Sequence, residues 1–163
     1  MTFFDTADVY GDGRSEQIIG SYLADNPGHG ITVATKMGRR EPQDADNYTL
    51  AKFREWVDRS RRNLRTDRLD LVQLHCPPTA VYSRDEVYDG LDTLVAEGAI
   101  ASYGVSVETV DEALTAIARP HVATVQIIVN AFRLTPLDAL LPAASAAGVG
   151  GRARGPRAGR AGR

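Results

Sequence analysis

The chain has 163 residues, of which 43% are hydrophobic and 25% charged, a balance typical of one soluble globular domain with its own core. Its formal net charge is −2; residues 151–163 contain five arginines and no acid, so residues 1–150 carry −7. The single cysteine, Cys76, excludes an internal disulfide, and no apolar run is long enough to span a membrane. We therefore expect a cytoplasmic protein with one folded domain, residues 1–150.

The chain begins with a short apolar strand that ends abruptly in polar residues. Phe3 and Phe4 are followed by Asp5, and Tyr10 and Gly11 complete a compact loop. A carboxylate at the end of a buried strand is typical of a turn, because Asp-Thr pairs are common turn formers. It is equally typical of an active-site loop. Both interpretations stay open until partners are found elsewhere in the chain.

Strands and helices alternate along the rest of the sequence. The predicted strands begin near residues 2, 31, 69, 100 and 124. Each is followed by a helix with apolar residues at helical spacing. Ser15 and Thr49 are predicted helix caps, and Ser83 with Glu86 has the spacing of a capping box. We expect the last helix to be interrupted at Pro142.

This alternation, with strands that are nearly all apolar, indicates parallel pairing and a right-handed winding. A Rossmann fold needs a Gly-x-Gly-x-x-Gly turn after a strand, and Gly11-Asp12-Gly13 lacks the third glycine. The sequence therefore predicts an α/β fold, a partial (β/α)8 TIM barrel with about five strand-helix units of eight.

Three ionisable residues end successive predicted strands: Asp5, Lys36 and His75. The carboxyl ends of barrel strands converge on one rim, where the active sites of such enzymes lie, so we expect these residues to meet Tyr10 there. A nearby ammonium favours the phenolate and lowers the pKa of a phenol from about 10. Such a set suits protonation of an oxygen while hydride reaches the adjoining carbon.

At these residues the chain resembles the aldo-keto reductase superfamily, whose signature Asp-x-Ala-x-x-Tyr-Gly matches Asp5 to Gly11. The resemblance implies Tyr10 as proton donor, Asp5 and Lys36 as the pair that tunes its pKa, and His75 as the group that orients the carbonyl. It implies an NAD(P)H-dependent oxidoreductase acting on a small-molecule aldehyde or ketone. NADPH is the expected cofactor, with NADH as the alternative.

The resemblance also implies two cofactor-binding residues. Gly104-Val105-Ser106 is similar to the family's Gly-x-Ser-Asn turn, and Gln126 is similar to the glutamine of its sixth strand. Ser106 and Gln126 would bind the nicotinamide carboxamide. Val107 stands where the family generally has asparagine, so one hydrogen bond to the cofactor is not expected here.

The similarity is expected to cover about Thr2 to Val149, which suggests a truncated member. We expect the first strand-helix unit of the family to have no counterpart here. We expect the same of its last two units, with their nicotinamide-stacking aromatic and adenosine-phosphate loop. Because an unclosed sheet leaves two strand edges unpaired, we expect the purified chain to lack a cooperative melt.

Residues 151–163 contain only Gly, Ala, Arg and Pro. They could be a basic arm for nucleic acid or membrane, or non-native sequence from a GC-rich gene read in a shifted frame. The second interpretation is favoured because the change falls inside an expected strand. Both predict a disordered tail, and we expect neither nucleic acid nor membrane as a partner.

The remaining polar residues receive structural interpretations. His29 and His121 have no ligand partner at suitable spacing, so no metal site is predicted. Cys76 is interpreted as a small packed residue, and Arg59 as part of a solvated helix face with interleaved acids. The rival to a reductase is a non-catalytic fragment, or a regulatory reductase-like interaction protein, that has lost cofactor binding.

Overall fold

The computed structural model describes residues 2–28 and 30–154. Five strand-helix units and a sixth strand follow one another along them. The elements are β1 (Phe3–Asp5), α1 (Arg14–Asp25), β2 (Thr32–Met37), α2 (Leu50–Leu64), β3 (Leu71–His75), α3 (Asp85–Ala96), β4 (Tyr103–Ser106), α4 (Val110–Ile117), β5 (Val122–Ile128), α5 (Thr135–Ala146) and β6 (Gly150–Arg154). The five predicted strand-helix units are confirmed.

The six strands form one parallel sheet whose order follows the sequence from β1 to β6. The sheet curves so strongly that side chains of its two edge strands meet. The guanidinium carbon of Arg152 on β6 lies 4.0 Å from the ring centroid of Phe3 on β1. The predicted partial (β/α)8 barrel is therefore confirmed.

The apolar core lies between the sheet and its helices. Phe53 and Trp56 of α2 are 0% and 1% exposed, and their rings pack against Tyr48. The Trp56 indole N–H donates to Glu41 at 3.1 Å, so even this large side chain keeps its polar atom satisfied. Helix α2 thereby holds the loop after β2 against the sheet.

The concave face of the sheet is polar at mid-height. Gln73 of β3 donates to the Thr124 hydroxyl of β5 at 3.1 Å, passing over Gly104 of β4. A Cβ at Gly104 would collide with that hydroxyl, so glycine allows β3 and β5, the strands on either side of β4, to form a hydrogen bond across it. This arrangement places Ser106, two residues further along β4, at the rim.

Thr49 caps α2 as predicted, accepting from the Lys52 amide at 3.4 Å. The capping box predicted at Ser83 does not form, because Ser83 ends a 3-10 turn, Thr79–Ser83, and Arg84 takes the extended position before α3. A capping box joins Thr109 and Glu112 at α4 instead.

The other two predicted helix boundaries also differ. Helix α1 starts at Arg14 after Gly13, which has φ +89°, so Ser15 lies inside the helix and accepts from the Thr6 hydroxyl at 2.8 Å. Helix α5 continues through Pro142. Pro142 and Asp138 are both exposed, so water can solvate the Asp138 carbonyl that proline leaves without a donor.

The first four residues of the segment predicted to be disordered, 151–154, form part of a strand. Residues 151–154 belong to β6, which pairs along β5 from Thr124 to Ile128. Backbone groups make this pairing, so a segment without large apolar side chains can still satisfy the edge of β5. Residues 155–163 lie outside the described residues, as does His29.

Membrane-spanning length is not reached by any helix within residues 2–28 and 30–154. The longest, α2, has 15 residues and carries charges along one side.

Two carboxylates are fully buried beneath the first loop, Asp8 and Glu16. Glu16 accepts from the Thr35 hydroxyl at 2.5 Å and from the Asn63 amide at 2.9 Å, which ties α1 to β2 and α2. Asp8 forms an ion pair with Arg59 of α2 at 3.3 Å. Burial and the nearby charge of Glu16 raise the pKa of Asp8 to about 6, against the opposing effect of Arg59.

The raised pKa of Asp8 predicts how stability depends on pH. The folded chain, with a pKa of about 6, binds this proton more tightly than the unfolded chain, whose Asp8 keeps the ordinary value of 3.8. The stabilising contribution is therefore complete below about pH 4 and is lost as pH rises through about 6, a change of about 3 kcal/mol.

We expect the Asp8 carboxyl carbon to titrate near pH 6 in a 13C NMR experiment, with its signal assigned by its loss in Asp8→Asn. Amide hydrogen exchange should show the free energy of local opening around Asp8 falling from pH 4 to pH 7 in the original chain. The fall should be smaller in Asp8→Asn. Titration of Asp8 near pH 4 would contradict this assignment of the buried charge.

Candidate active site

The ends of β1 and β2 are joined by an ion pair between a buried lysine and a partly exposed carboxylate. The Lys36 ammonium lies 2.5 Å from Asp5 Oδ1 and donates to the Thr6 carbonyl oxygen at 2.7 Å. Lys36 is 1% exposed, whereas the Asp5 side chain is 33% exposed. A buried ammonium needs such partners, because desolvating an unpaired charge costs several kcal/mol.

Tyr10 lies over this ion pair and against His75. The Lys36 ammonium is 5.6 Å from the centroid of the phenol ring. The rings of Tyr10 and His75 meet edge to face, with centroids 5.8 Å apart and planes at 86°. His75 is buried and Tyr10 is half-buried. The structure thus brings together the four side chains that the sequence singled out, with the phenol at the boundary to solvent.

The loop that carries Tyr10 is a series of tight turns. The Tyr10 amide donates to the Ala7 carbonyl at 3.1 Å, and the Asp12 amide donates to the Val9 carbonyl at 3.2 Å. Gly11 and Asp12 both have left-handed backbones, with φ +60° and +56°. Glycine and aspartate are among the residues that adopt this conformation most readily, which explains why the chain can reverse directly after the tyrosine.

Ser106 and Gln126, the predicted cofactor residues, are paired neighbours, the first at the end of β4 and the second two residues before the end of β5. Both are 2% exposed. The Gln126 amide nitrogen donates to Asp5 Oδ2 at 3.0 Å, which fixes the orientation of the amide. Its oxygen is buried and has no hydrogen-bond partner within the described part of the chain. Gln126 therefore offers an unused acceptor beside the Asp5–Lys36 pair.

A cavity of about 370 Å³ opens at the same end of the sheet. It is lined by Arg39, Cys76, Ser106, Val107, Glu108, Thr109, Ile127, Ile128 and Arg133. The Ser106 hydroxyl faces the Cys76 sulfur at 3.5 Å, a long and weak contact. Gln126 does not line this cavity; it is the partner of Ser106 in the pairing of β4 with β5.

Three arginines near this site have roles that the sequence did not indicate. Arg152 of β6 lies 3.7 Å from Asp5 Oδ1, although its segment was expected to be disordered. Arg59 is paired with buried Asp8, so the interpretation of its helix face as fully solvated needs correction. Arg40 donates to the Asp8 carbonyl at 3.0 Å. A buried carboxylate such as Asp8 requires a cationic partner, but the sequence does not identify which arginine provides it.

The sequence assigned structural roles to His121 and Cys76, and neither belongs to the Asp5–Lys36 ion pair. His121 is exposed and pairs with Asp92 at 2.9 Å, on α3. Cys76 is half-buried directly after His75, with φ +49°. Across residues 2–28 and 30–154 no three His, Cys, Asp or Glu side chains are grouped to hold a metal ion.

Known proteins of one family are similar to this chain in sequence and in structure. The model of the Aldo/keto reductase family matches residues 1–159. The match extends ten residues beyond Val149, where the similarity was expected to end, and it includes all of β6. The chain is 36% identical over 110 residues to an uncharacterized oxidoreductase, YqkF, of Bacillus subtilis, covering 65% of this chain and 35% of that protein.

Two solved structures of aldo-keto reductases are similar to this chain. The holo form of aldo-keto reductase AKR11C1 from Bacillus halodurans superposes with a TM-score of 0.83 at 28% identity, over 94% of this chain and 52% of that chain. An aldo/keto reductase from Klebsiella pneumoniae in complex with NADP and acetate gives a TM-score of 0.77 at 25% identity, over 93% and 51%. The chain thus spans about a third to a half of the relatives it matches. On the family model and these likenesses, the chain belongs to the aldo/keto reductase family.

Proposed function

We propose that the protein reduces the carbonyl group of a small aldehyde or ketone with NADPH, or oxidises the alcohol in the reverse direction, with Tyr10 as the proton donor. The observation that carries the proposal is the position of the Tyr10 phenol, over the Lys36–Asp5 ion pair and against His75. The NADP complex of the similar Klebsiella pneumoniae protein supports NADPH as the cofactor, with NADH as the alternative.

Each residue of the site would have a distinct part in moving one proton. Tyr10 donates its phenolic proton to the carbonyl oxygen of the substrate. The Lys36 ammonium stabilises the phenolate that is left, and Asp5 keeps the ammonium charged and in place. The buried His75 imidazole, packed at the edge of the phenol ring, would orient the same carbonyl oxygen.

Bound NADPH would supply the hydride that adds to the carbonyl carbon while the oxygen receives the proton. The Gln126 amide oxygen and the Ser106 hydroxyl would hold its carboxamide. The unused acceptor of Gln126 is the observation that supports this assignment. Val107 offers no side-chain hydrogen bond at the position next to Ser106.

The rival is a reductase-like protein without catalysis. Two observations favour it: β1 and β6 are edge strands of the described sheet, and Arg152 approaches the Asp5 carboxylate from β6. The two functions differ in cofactor binding, so binding of NADPH decides between them.

We expect NADPH to bind the chain, measured as quenching of Trp56 fluorescence. Gln126→Leu keeps the side-chain volume but removes the amide. The dissociation constant of this variant for NADPH should therefore rise about 10-fold, which corresponds to the loss of one buried hydrogen bond. The matched control is Gln17→Leu on the exposed side of α1, which should bind like the original chain. Absence of binding at high micromolar NADPH would rule out reductase activity in this chain.

We expect Tyr10→Phe to reduce the turnover of an aromatic aldehyde by 10²- to 10⁴-fold, the range for loss of a general acid. Its dissociation constant for NADPH should stay within about twofold, because the ring remains and only the hydroxyl is lost. Tyr22→Phe, an exposed tyrosine of α1, is the control and should keep full turnover. Equal turnover of Tyr10→Phe and Tyr22→Phe would contradict the role of Tyr10.

A further inference from the structure

Tyr10 depends on a loop that makes few backbone contacts with the sheet. The last amide of this loop that bonds to a strand is that of Asp8, which donates to the Lys36 carbonyl at 3.0 Å. From Val9 to Asp12 the backbone hydrogen bonds are made within the loop and with the start of α1. Two successive left-handed residues, Gly11 and Asp12, follow the tyrosine. Backbone pairing with the sheet therefore does not by itself position residues 9–12.

Arg40 supplies contacts on both sides of Tyr10. It lies three residues beyond the end of β2, and its guanidinium donates through Nη1 to the Asp8 carbonyl at 3.0 Å. Through Nη2 it donates to the Asp12 carboxylate. Asp8 and Asp12 each stand two residues from Tyr10, one before it and one after it. A planar guanidinium with several fixed donors suits such a bridge, whereas a lysine would offer a point charge.

We propose that Arg40 is a positioning residue, which bridges Asp8 and Asp12 and thereby holds the Tyr10 phenol at the distance from Lys36 and His75 that proton transfer needs. The inference rests on the proposed function, since it concerns the placement of the proposed proton donor.

The Asp8 end of the bridge is rigid. The Asp8 side chain is fully buried and paired with Arg59 of α2, and its amide is bonded to the backbone of Lys36 itself. The position of Asp8 is therefore tied to the strand that carries the ammonium. By joining Asp12 to this fixed point, Arg40 ties the far side of the Tyr10 loop to Lys36 as well.

The Asp12 end of the bridge is exposed. The Asp12 side chain is 83% exposed and that of Arg40 is 23% exposed, so water and salt screen their ion pair. Exposed ion pairs contribute at most about 1 kcal/mol to folding stability. Removal of Arg40 should therefore loosen the loop while leaving the fold intact. This separation allows a positioning role to be distinguished from a structural one.

The test compares Arg40→Ala with Arg40→Lys and with a matched control, Arg54→Ala. Arg54 is also an arginine paired with a carboxylate, Glu97, but it joins α2 to the end of α3 away from Tyr10. With an aromatic aldehyde and NADPH, we expect kcat of Arg40→Ala to fall about 10- to 100-fold, as displacement of a reacting group by about 1 Å does. KM and the NADPH dissociation constant should change less than about threefold.

Arg40→Lys should recover part of the lost kcat, because one donor can still reach the loop, and Arg54→Ala should match the original chain. A second variant, Asp12→Gly, accepts φ +56° without strain and removes only the carboxylate. It should lose several-fold in kcat. Unchanged kcat in Arg40→Ala, or an equal loss in Arg54→Ala, would overturn the proposal.

A measurement without turnover separates this proposal from the proposed function. In NMR spectra of the chain we expect a nuclear Overhauser contact between the rings of Tyr10 and His75, and slow exchange of the hydrogen-bonded amides of Tyr10 and Asp12. Both should be lost in Arg40→Ala and kept in Arg54→Ala. If the original chain shows no turnover, the proposed function fails; the ring contact then decides, and its retention in Arg40→Ala would overturn the positioning role.

Discussion

The structure depends on one buried charge, the Lys36 ammonium. An ammonium that is 1% exposed is tolerated only with close partners, and Asp5 and the Thr6 carbonyl provide them at 2.5 and 2.7 Å. These contacts fix where β1 ends relative to β2. Asp5 in turn receives the Gln126 amide from β5, so a single carboxylate connects the first strand of the sheet with the fifth.

The Lys36–Asp5 ion pair also determines which side chains lie around it at the rim. The Tyr10 ring centroid lies 5.6 Å from the ammonium, and part of the tyrosine surface remains exposed to solvent. Asp5 is shared further with Arg152 at 3.7 Å, a longer and more exposed contact than that with Lys36. Of the two cations beside this carboxylate, Lys36 therefore has the closer position, beneath the phenol.

The sequence predicted those features that follow from periodicity and from strand ends. Asp5 and His75 end apolar strands and Lys36 stands one residue before the end of β2, and parallel strands in a barrel bring such residues to one rim. The sequence does not reveal the partners of Asp8, because Arg40 lies in a polar loop and Arg59 in a helix with many charges. It also misjudged β6, where backbone pairing orders a segment whose composition offers no apolar face. Ser83 shows the same limit, since capping-box spacing does not reveal that a 3-10 turn already includes the serine.

The central claim, that these residues serve hydride transfer to a carbonyl, is tested most directly by following the hydride itself. The chain is incubated with NADPH deuterated at the transferring carbon and with an aromatic aldehyde, and the alcohol is analysed by mass spectrometry. The account predicts one deuterium on the carbinol carbon of the product. Alcohol without deuterium, or no alcohol from a chain that binds the cofactor, would contradict it.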